Sequence, residues 1–378
     1  MRRACVLALL LLAAIAGACL WDSDTLKAEA ANKMDLVRVI TGRFERWPAK
    51  YYEMRLERVK KELADPATTD TKKLELLDDA SVALDRLHRD DEALTFSDHK
   101  RELLMKLDPK VATHKDHWYR YYANAGTFWA HRWFAKGADR AKIDQMKHAR
   151  DLIAKAIKIN PNAHFGREWA QQATMDWVIR LKRDSVGLGS FVRSAASMET
   201  PRRNDEDALK GLAGLVMLGA GWESIDLFDA MAELVSYHQD TLRSLADQRV
   251  SELRDLGKKS LTPGRVDVAT HWVYQDHIER EYRRLRAEAD EWATHRETFV
   301  LRRLGEGKHP DVDSDFWEGY VEKPAPEIQD ATIAERIGAW WRLPTTPFLL
   351  CPAVLIAAIV ALHIRGRKRR LPVALPPS

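Results

Sequence analysis

The sequence predicts an all-α protein, and three features of the 378-residue chain support this fold class. Ala, Leu and charged residues dominate its central part, where the alternation of β-branched residues that is typical of strands is scarce. Pro ends successive helical stretches at Asp65-Pro66, Asp108-Pro109 and Asn160-Pro161. The long uncharged apolar runs lie at the two ends of the chain, so the central region is expected to fold as a helical domain.

The chain begins with a segment typical of secretion signals. Arg2 and Arg3 precede an apolar run, and Ala16-Gly17-Ala18 supplies the small residues of a signal-peptide cleavage site. Cys19 follows directly and is a candidate for lipidation, although bacterial lipoprotein signals usually have Leu three residues before this Cys. The apolar run is also long enough for an uncleaved anchor. The sequence leaves these three alternatives open for residues 1–19.

Between the two ends, the periodicity of apolar residues predicts one helix after another. We place helices at 24–45, 49–64, 72–88, 90–107, 114–136, 139–160, 163–182, 204–219, 221–256, 264–303 and 331–342. The stretch 183–203, which contains Gly, Ser and Pro, is predicted to be an irregular connection. The helical domain is expected to cover residues 22–303, followed by a linker and juxtamembrane segment at 304–345.

A pattern of small residues suggests pairs of closely packed helices. It includes Ala80, Ala83, Ala93, Gly126, Ala149, Ala156, Pro161 and Gly219. The pattern resembles the tetratricopeptide (TPR) repeat and extends over about residues 36–235, with His148 to Asn162 as its most specific part. The sequence departs from that repeat where Ser97 replaces an aromatic residue and where about eleven extra residues surround 136–147. The alternative is a non-repeat bundle in which small residues mark close helix contacts.

The resemblance to TPR proteins implies stacked helix hairpins and a concave surface that binds a segment of a partner protein. Asn124 stands where peptide-binding repeats of that family often carry an Asn that bonds the ligand backbone. We expect a partner groove lined by Tyr122, Asn124, Trp129 and Trp133. The alternative role of the aromatic residues is packing between hairpins, because each ring buries a large apolar area.

The C-terminal residues predict a membrane-spanning helix. No charged residue occurs from Pro347 to Leu362, and five basic residues follow within 365–370. These features predict a span at 346–364 and a basic cytoplasmic tail at 365–378. The protein is therefore expected in the cytoplasmic membrane, with its main domain on the periplasmic or extracytoplasmic side.

Charge and cysteine content exclude several classes of function. The formal charge of +4 depends on basic residues at the two ends; the part between them is near −3 and carries no sign of a nucleic-acid-binding face. All three cysteines, Cys5, Cys19 and Cys351, lie in the terminal segments. The central domain therefore lacks disulfides, cysteine-based zinc sites and cysteine nucleophiles.

The sequence predicts no catalytic residues, cofactor or metal. Ser97 and Lys100 have the spacing of a penicillin-binding-protein motif, but its partner motifs are absent. Carboxylates with partial calcium-loop spacing occur at Asp311, Asp313, Asp315 and Glu322, where the position that requires Gly is Phe316. Four histidines are numerous enough to form a metal site: His114, His117, His131 and His148. Solvated acidic residues and scattered surface histidines are the ordinary interpretations.

The predicted function is that of a non-catalytic, membrane-anchored scaffold that binds protein partners of unknown identity. One alternative is an envelope enzyme or glycan-binding protein with a site on the aromatic- and His-rich helices. Another is a structural subunit of a larger membrane complex. The apolar stripe of the helix at 264–303 predicts either self-association or packing of this helix onto the domain as its cap.

Overall fold

The computed structural model describes residues 35–161, 167–181, 186–199, 202–218, 221–235, 240–262, 275–333 and 335. Within these ranges the protein is all-helical, as predicted, with 12 α-helices, two short 3-10 helices and no strand. The α-helices are α1 Leu36–Thr41, α2 Ala49–Ala64, α3 Asp70–Arg86, α4 Asp90–Leu104, α5 Ala112–Ala135, α6 Ile143–Ile159, α7 Arg167–Arg180, α8 Leu188–Met198, α9 Asp205–Leu218, α10 Ile225–Leu234, α11 Asp240–Asp255 and α12 Gln275–Gly305.

Short-range hydrogen bonds explain where several helices begin and end. The Asp35 carboxylate accepts a hydrogen bond from the Val37 N–H and starts α1, which ends at Gly42 in the left-handed conformation with φ 86°. The Thr69 hydroxyl accepts from the Lys72 N–H and starts α3. Such caps satisfy backbone groups that have no partner within the helix, so they can be identified from neighbouring residues alone.

Apart from shifted helix ends, such as α1 ending at Thr41 where the prediction extends to 45, the structure differs from the predicted helices in two places. Residues Leu188–Met198 form α8 within the stretch predicted to be irregular, because Leu188, Val192 and Ala196 recur at helical spacing and are buried. The helix predicted at 221–256 is divided into α10 and α11. Its first residues form a 3-10 turn instead of α-helix. The Ser224 hydroxyl accepts a hydrogen bond from the Leu227 N–H, and α10 begins after this cap.

Helices that are neighbours in sequence are also neighbours in space from α2 through α7. In addition, α3 contacts α5, the second helix after it. Further along the chain, α9 packs on α7, and α8 and α11 both pack on α10. This order places α4, α5 and α6 side by side, and their shared surface forms the candidate site described below.

Contacts divide the chain into a main unit, Met1–Thr270 with Ile278–Gln329, and a small unit, His271–His277 with Asp330–Ser378. In the small unit, His277 Nδ1 lies 3.5 Å from a carboxylate oxygen of Glu335. In the main unit, α1 contacts α9 and α11, so early and late helices meet. An open solenoid has contacts only between adjacent repeats, and the main unit departs from that simple arrangement.

The apolar stripe of α12 is buried within its own chain. Tyr282 and Leu285 belong to the larger core, while Val300 and Leu304 pack in a second core with Tyr51 of α2. The helix therefore packs back onto the domain, which is one of the two arrangements expected from the sequence.

The segment after α12 also packs onto the helices. Phe316 is 1% exposed and belongs to the same core as Tyr51. Its carbonyl oxygen accepts a hydrogen bond of 3.0 Å from Arg303 Nε, and the Arg43 guanidinium donates to the carbonyl oxygen of Lys323. Residues 306–329, predicted from their Gly and Pro content as part of a linker, thus contribute to the packed structure.

The predicted localisation requires a correction. None of the helices in the described ranges is both long enough and apolar enough to cross a bilayer, a finding that overturns the assignment to the cytoplasmic membrane with an extracytoplasmic main domain. The residues predicted as a span at 346–364, the tail at 365–378 and the N-terminal segment at 1–19, with Cys19, lie outside the described residues.

Candidate functional site

A cleft of about 290 Å³ opens between α4, α5 and α6. Helix α5 forms its floor, and α4 and α6 form its two walls. The lining residues are Leu94, Ser97, Asp98, Arg101, Trp118, Tyr121, Tyr122, Ala125, Trp129, His148, Leu152 and Lys155. Aromatic and aliphatic side chains are combined with a small number of polar groups, which is the usual composition of a ligand-binding pocket.

The floor of the cleft is built from aromatic residues that recur along one face of α5. The Trp118 and Tyr122 rings are stacked, with centroids 5.5 Å apart and an interplanar angle of 27°. Tyr121 meets Trp118 edge-on at 5.7 Å. Further along the helix, Trp129 meets His148 of α6 edge-on at 5.3 Å. Successive positions four and seven residues apart lie on one face of a helix, so the spacing from Trp118 to Trp129 creates this floor.

Positive side chains stand on both walls. Lys155 of α6 places its ammonium 5.5 Å from the centre of the Tyr122 ring. Arg101 of α4 lies across the cleft and forms an ion pair of 3.6 Å with Asp98. Burial raises the pKa of the Tyr121 phenol to about 12, against the opposing effect of Arg101, and burial also raises the pKa of Tyr122. Both phenols therefore stay protonated near neutral pH and can donate hydrogen bonds.

A buried polar network joins α4 and α5, which both line the cleft, to α3. Lys100 of α4 donates a hydrogen bond of 2.5 Å to Asp78 Oδ2 of α3. Asn124 Nδ2 of α5 donates to Asp78 Oδ1 at 3.2 Å. The His117 ring lies beside the same carboxylate, with Nδ1 4.0 Å from Oδ2. One carboxylate thus joins three helices, and this junction restrains the helices that carry the cleft.

Burial shifts the pKa values of this network strongly. It raises the pKa of Asp78, against the opposing effect of Lys100, and it lowers the pKa of Lys100. Burial and the nearby Lys100 charge lower the pKa of His117 to about 3. His117 is therefore neutral over the physiological range, and its Nδ1 atom has no hydrogen-bond partner among the described residues.

Of the four residues predicted to line a partner groove, two line this cleft and two are buried elsewhere. Tyr122 and Trp129 line the cleft, but Asn124 is 1% exposed and donates its amide to Asp78. Trp133 is 3% exposed, and its Nε1 donates to the carbonyl oxygen of Asp139 at 3.1 Å. Asn124 and Trp133 are therefore buried and are not among the residues that line the cleft.

The residues of the repeat pattern are buried where they are described, with the exception of Pro161. A β-carbon on Gly126 would meet Ile153 Cδ1 at 2.8 Å and the carbonyl oxygen of Ala149 at 2.9 Å, so α5 and α6 approach closely here. The alanines of this pattern are fully buried: Ala80, Ala83, Ala93, Ala149 and Ala156. Pro161 is exposed after the end of α6, and Gly219 lies outside the described residues.

The other candidate constellations do not converge on a reactive centre. The Lys100 ammonium is held by Asp78 rather than directed to a nucleophile. In the calcium-like segment, Asp311 binds Arg55 and Arg58, and Asp315 pairs with Lys308. Across the described part of the chain, no group of three or more His, Cys, Asp or Glu residues is arranged to hold a metal ion.

The four histidines that could form a metal site by number have four different environments. His114 Nδ1 hydrogen-bonds with the carbonyl oxygen of Asp108 at 2.8 Å, and His131 Nδ1 lies 2.6 Å from Asp85 Oδ1. His117 belongs to the buried network around Asp78, and His148 faces Trp129. Their spacing in the sequence therefore does not translate into a common site.

The four residues predicted for the groove do not include Trp118, Arg101 or Lys155, which line the cleft. A signal for Trp118 was present, because Trp118, Tyr122 and Trp129 share a helical face. No comparable signal existed for Arg101 and Lys155, which lie on two different helices whose relative position is set by packing.

Searches of protein-family models, curated proteins and solved structures found no match to this chain, so its function is inferred from the side chains of this site.

Proposed function

We propose that this protein is a non-catalytic scaffold that binds a segment of a partner protein in the cleft between α4, α5 and α6. The observation that carries the proposal is the aromatic floor of the cleft. Trp118, Tyr122 and Trp129 are only partly buried, so three large rings remain accessible along one helix face. Partly exposed aromatic residues in a pocket are typical anchors of protein recognition.

We propose further that the hairpins α3–α4 and α5–α6 are arranged as adjacent TPR-like repeats, an arrangement that would suit a binding scaffold. The contact between α3 and α5 is the one expected between equivalent helices of adjacent repeats. Gly126 allows close approach within the second hairpin, and Ala80, Ala83 and Ala93 are buried in the first. We limit the TPR-like assignment to these four helices, because α1 and α12 close against other parts of the main unit.

Rigidity is the second property that suits a binding scaffold. The Asp78 network ties α3 to α4 and α5, and these last two helices line the cleft. A restrained cleft loses little conformational freedom when a ligand enters, and this limits the entropic cost of binding. A peptide segment can therefore gain measurable affinity from one or two anchored side chains.

The proposal is tested by selecting a random phage-displayed peptide library on the purified protein. Selected peptides should bind the wild-type protein, and Trp118→Ala or Trp129→Ala should weaken their binding at least about tenfold. Met105→Ala, at an exposed position outside the cleft, is the matched control. Peptides whose binding is unchanged by both Trp variants would exclude this cleft as the binding site, as would a failure to select any binding peptide.

The alternative class, a glycan-binding protein, predicts a different outcome of the same variants. A glycan would stack on the rings of Trp118 and Trp129 without a need for the flanking positive charges. A glycan array probed with the wild-type protein would show retention of a sugar, and this retention would be lost in Trp118→Ala. Such a result, together with no selected peptide, would replace the protein-binding proposal.

A further inference from the structure

We infer that the segment bound in this cleft is acidic: a large apolar side chain sits on the aromatic floor, and a neighbouring carboxylate is held between Arg101 and Lys155. This inference rests on the proposed function and specifies the chemistry of its ligand. The two cations come from α4 and α6, on opposite sides of α5, so a carboxylate above the floor is approached from both walls.

The positive charges are available to a ligand. Lys155 is exposed and forms no salt bridge with any residue in the described ranges. Arg101 pairs with Asp98 at 3.6 Å, and the two side chains are 47% and 59% exposed. Exposed ion pairs of this kind are worth only about 0–1 kcal/mol. A ligand carboxylate can therefore replace Asp98 as the partner of Arg101 at little cost.

The aromatic floor alone would also suit a basic ligand, since cations bind to ring faces. In this cleft, however, the ammonium of Lys155 already lies over the Tyr122 ring. An incoming Lys or Arg side chain would meet both this charge and that of Arg101. Asp98 is the single carboxylate among the described lining residues, so the balance of charge favours an anion.

The size of the cleft limits what can enter it. Its volume of about 290 Å³ is at the small end of the roughly 300–1,000 Å³ that is usual for ligand pockets. This space suits one large side chain with the adjoining backbone. Leu94 and Leu152 extend the apolar surface at the two walls, so Phe, Trp or Leu beside Asp or Glu is the expected core of the motif.

The test uses two capped peptides that differ only in charge, Gly-Ser-Phe-Asp-Asp-Ser-Gly and Gly-Ser-Phe-Asn-Asn-Ser-Gly. Isothermal titration calorimetry on the full-length protein at low salt should show that the Asp peptide binds about tenfold more tightly. Lys155→Gln and Arg101→Gln should each reduce this preference to about threefold or less. Lys158→Gln, an exposed position three residues further along α6, should preserve it. High salt should weaken the Asp peptide selectively.

The outcomes distinguish the preference for an acidic ligand from the binding of any peptide in the cleft. Equal affinity for the two peptides, with both weakened by Trp118→Ala, would overturn the acidic preference and leave the proposed function standing. Tighter binding of a matching Lys-Lys peptide would overturn it as well. If neither peptide binds at about 1 mM, the inference fails, whereas the library selection decides the proposed function independently. Circular dichroism confirms that the surface variants are folded.

Discussion

Lys100 and Asp78 form a buried ion pair that joins α4 to α3, with Nζ 2.5 Å from Oδ2 and side chains that are 2% and 4% exposed. A buried pair is not by itself a large source of stability, because removing two charges from water is costly. Breaking it is different, since the remaining charge stays buried without its counterion. The pair therefore couples the packing of α3 to that of α4. The hydrogen bond from Asn124 to Asp78 extends this coupling to α5.

Removal of the Lys100 ammonium should destabilise the protein strongly. Lys100→Met keeps most of the side-chain volume but leaves the Asp78 carboxylate without its cation, and we expect a loss of about 3–5 kcal/mol. Urea unfolding followed by circular dichroism measures this change. Lys158→Met is the control at an exposed position of α6 and should alter the free energy of unfolding by less than about 0.5 kcal/mol. A loss below about 1 kcal/mol for Lys100→Met would contradict the pairing.

Because His117 is held neutral in the folded protein, we expect the protein to lose stability in acid. Its pKa of about 3 in the folded protein lies below the value of about 6.5 in an unfolded chain. The unfolded state then binds more protons, so the contribution of His117 to stability is complete above pH of about 6.5 and is lost as the pH falls towards 3. His117→Gln should remove this dependence, which amounts to at most about 1.4 kcal/mol per pH unit.

The measurement for His117 is a series of urea unfolding curves between neutral pH and about pH 4. Asp78, Lys100, Arg120 and His114 act on the His117 ring, and they are present in both proteins. The difference in pH dependence of the free energy of unfolding between wild type and variant therefore isolates His117. The raised pKa of Asp78 makes both proteins less stable as the pH rises, which is the opposite trend. Identical pH slopes in the two proteins would show that His117 is not held neutral.

A side chain at Gly126 should separate α5 from α6. Gly126→Ala adds a carbon within 2.9 Å of the Ala149 carbonyl oxygen, and we expect overpacking to cost about 1–3 kcal/mol. Thermal unfolding provides the measurement. Gly305→Ala is the matched control, because nothing lies within 4 Å of the added carbon at that position. Equal melting temperatures of wild type and Gly126→Ala would place the helix contact elsewhere.

Two tryptophans on α5 should respond differently to removal. Trp129→Ala opens the floor of the cleft and should weaken peptide binding while costing less stability, because this ring is only partly buried. Trp133→Ala empties a buried position and should cost about 3–5 kcal/mol. One thermal melt and one binding titration on each variant separate the two roles. A loss of stability from Trp129→Ala as large as that from Trp133→Ala would mean that Trp129 belongs to the core.

The packing of segment 306–329, which follows α12, should depend on the ion pair between Asp311 and Arg55. Burial acts to raise the pKa of its carboxyl, but the hydrogen bond and charge of Arg55 lower it to about 2. The stabilisation is complete above pH of about 3.9 and is lost as the pH falls towards 2. At neutral pH, Asp311→Asn should cost about 3–5 kcal/mol, because Arg55 loses its buried carboxylate partner. The exposed Glu318 provides the control variant Glu318→Gln.

Limited proteolysis gives the second readout for Asp311. If the ion pair with Arg55 holds the segment on α2, trypsin should cleave Asp311→Asn within 306–329 before it cleaves the helices. Cleavage at the rate seen in the wild-type protein would indicate that Phe316 and the hydrogen bond from Arg303 suffice to hold this segment.

The limits of prediction are visible in particular helices. The helix predicted at 49–64 matches α2, Ala49–Ala64, because Pro48 and Asp65-Pro66 act through local backbone geometry. The sequence does not predict α8, because the Gly and Ser residues of this stretch favour turns locally. Burial of Leu188, Val192 and Ala196 overrides that preference, and burial depends on helices far away in the sequence.

The same distinction applies to the site. Periodicity and Pro placement in the sequence were sufficient for the all-α class and most helix positions, and the aromatic spacing was sufficient to single out α5, because these signals act within one or two helical turns. Packing alone decided that Asn124 donates to Asp78, that Trp133 donates to the carbonyl oxygen of Asp139, and that Arg101 and Lys155 line the same cleft. These relations join helices whose relative placement depends on the summed burial of the whole core, and no local pattern of residues records that sum.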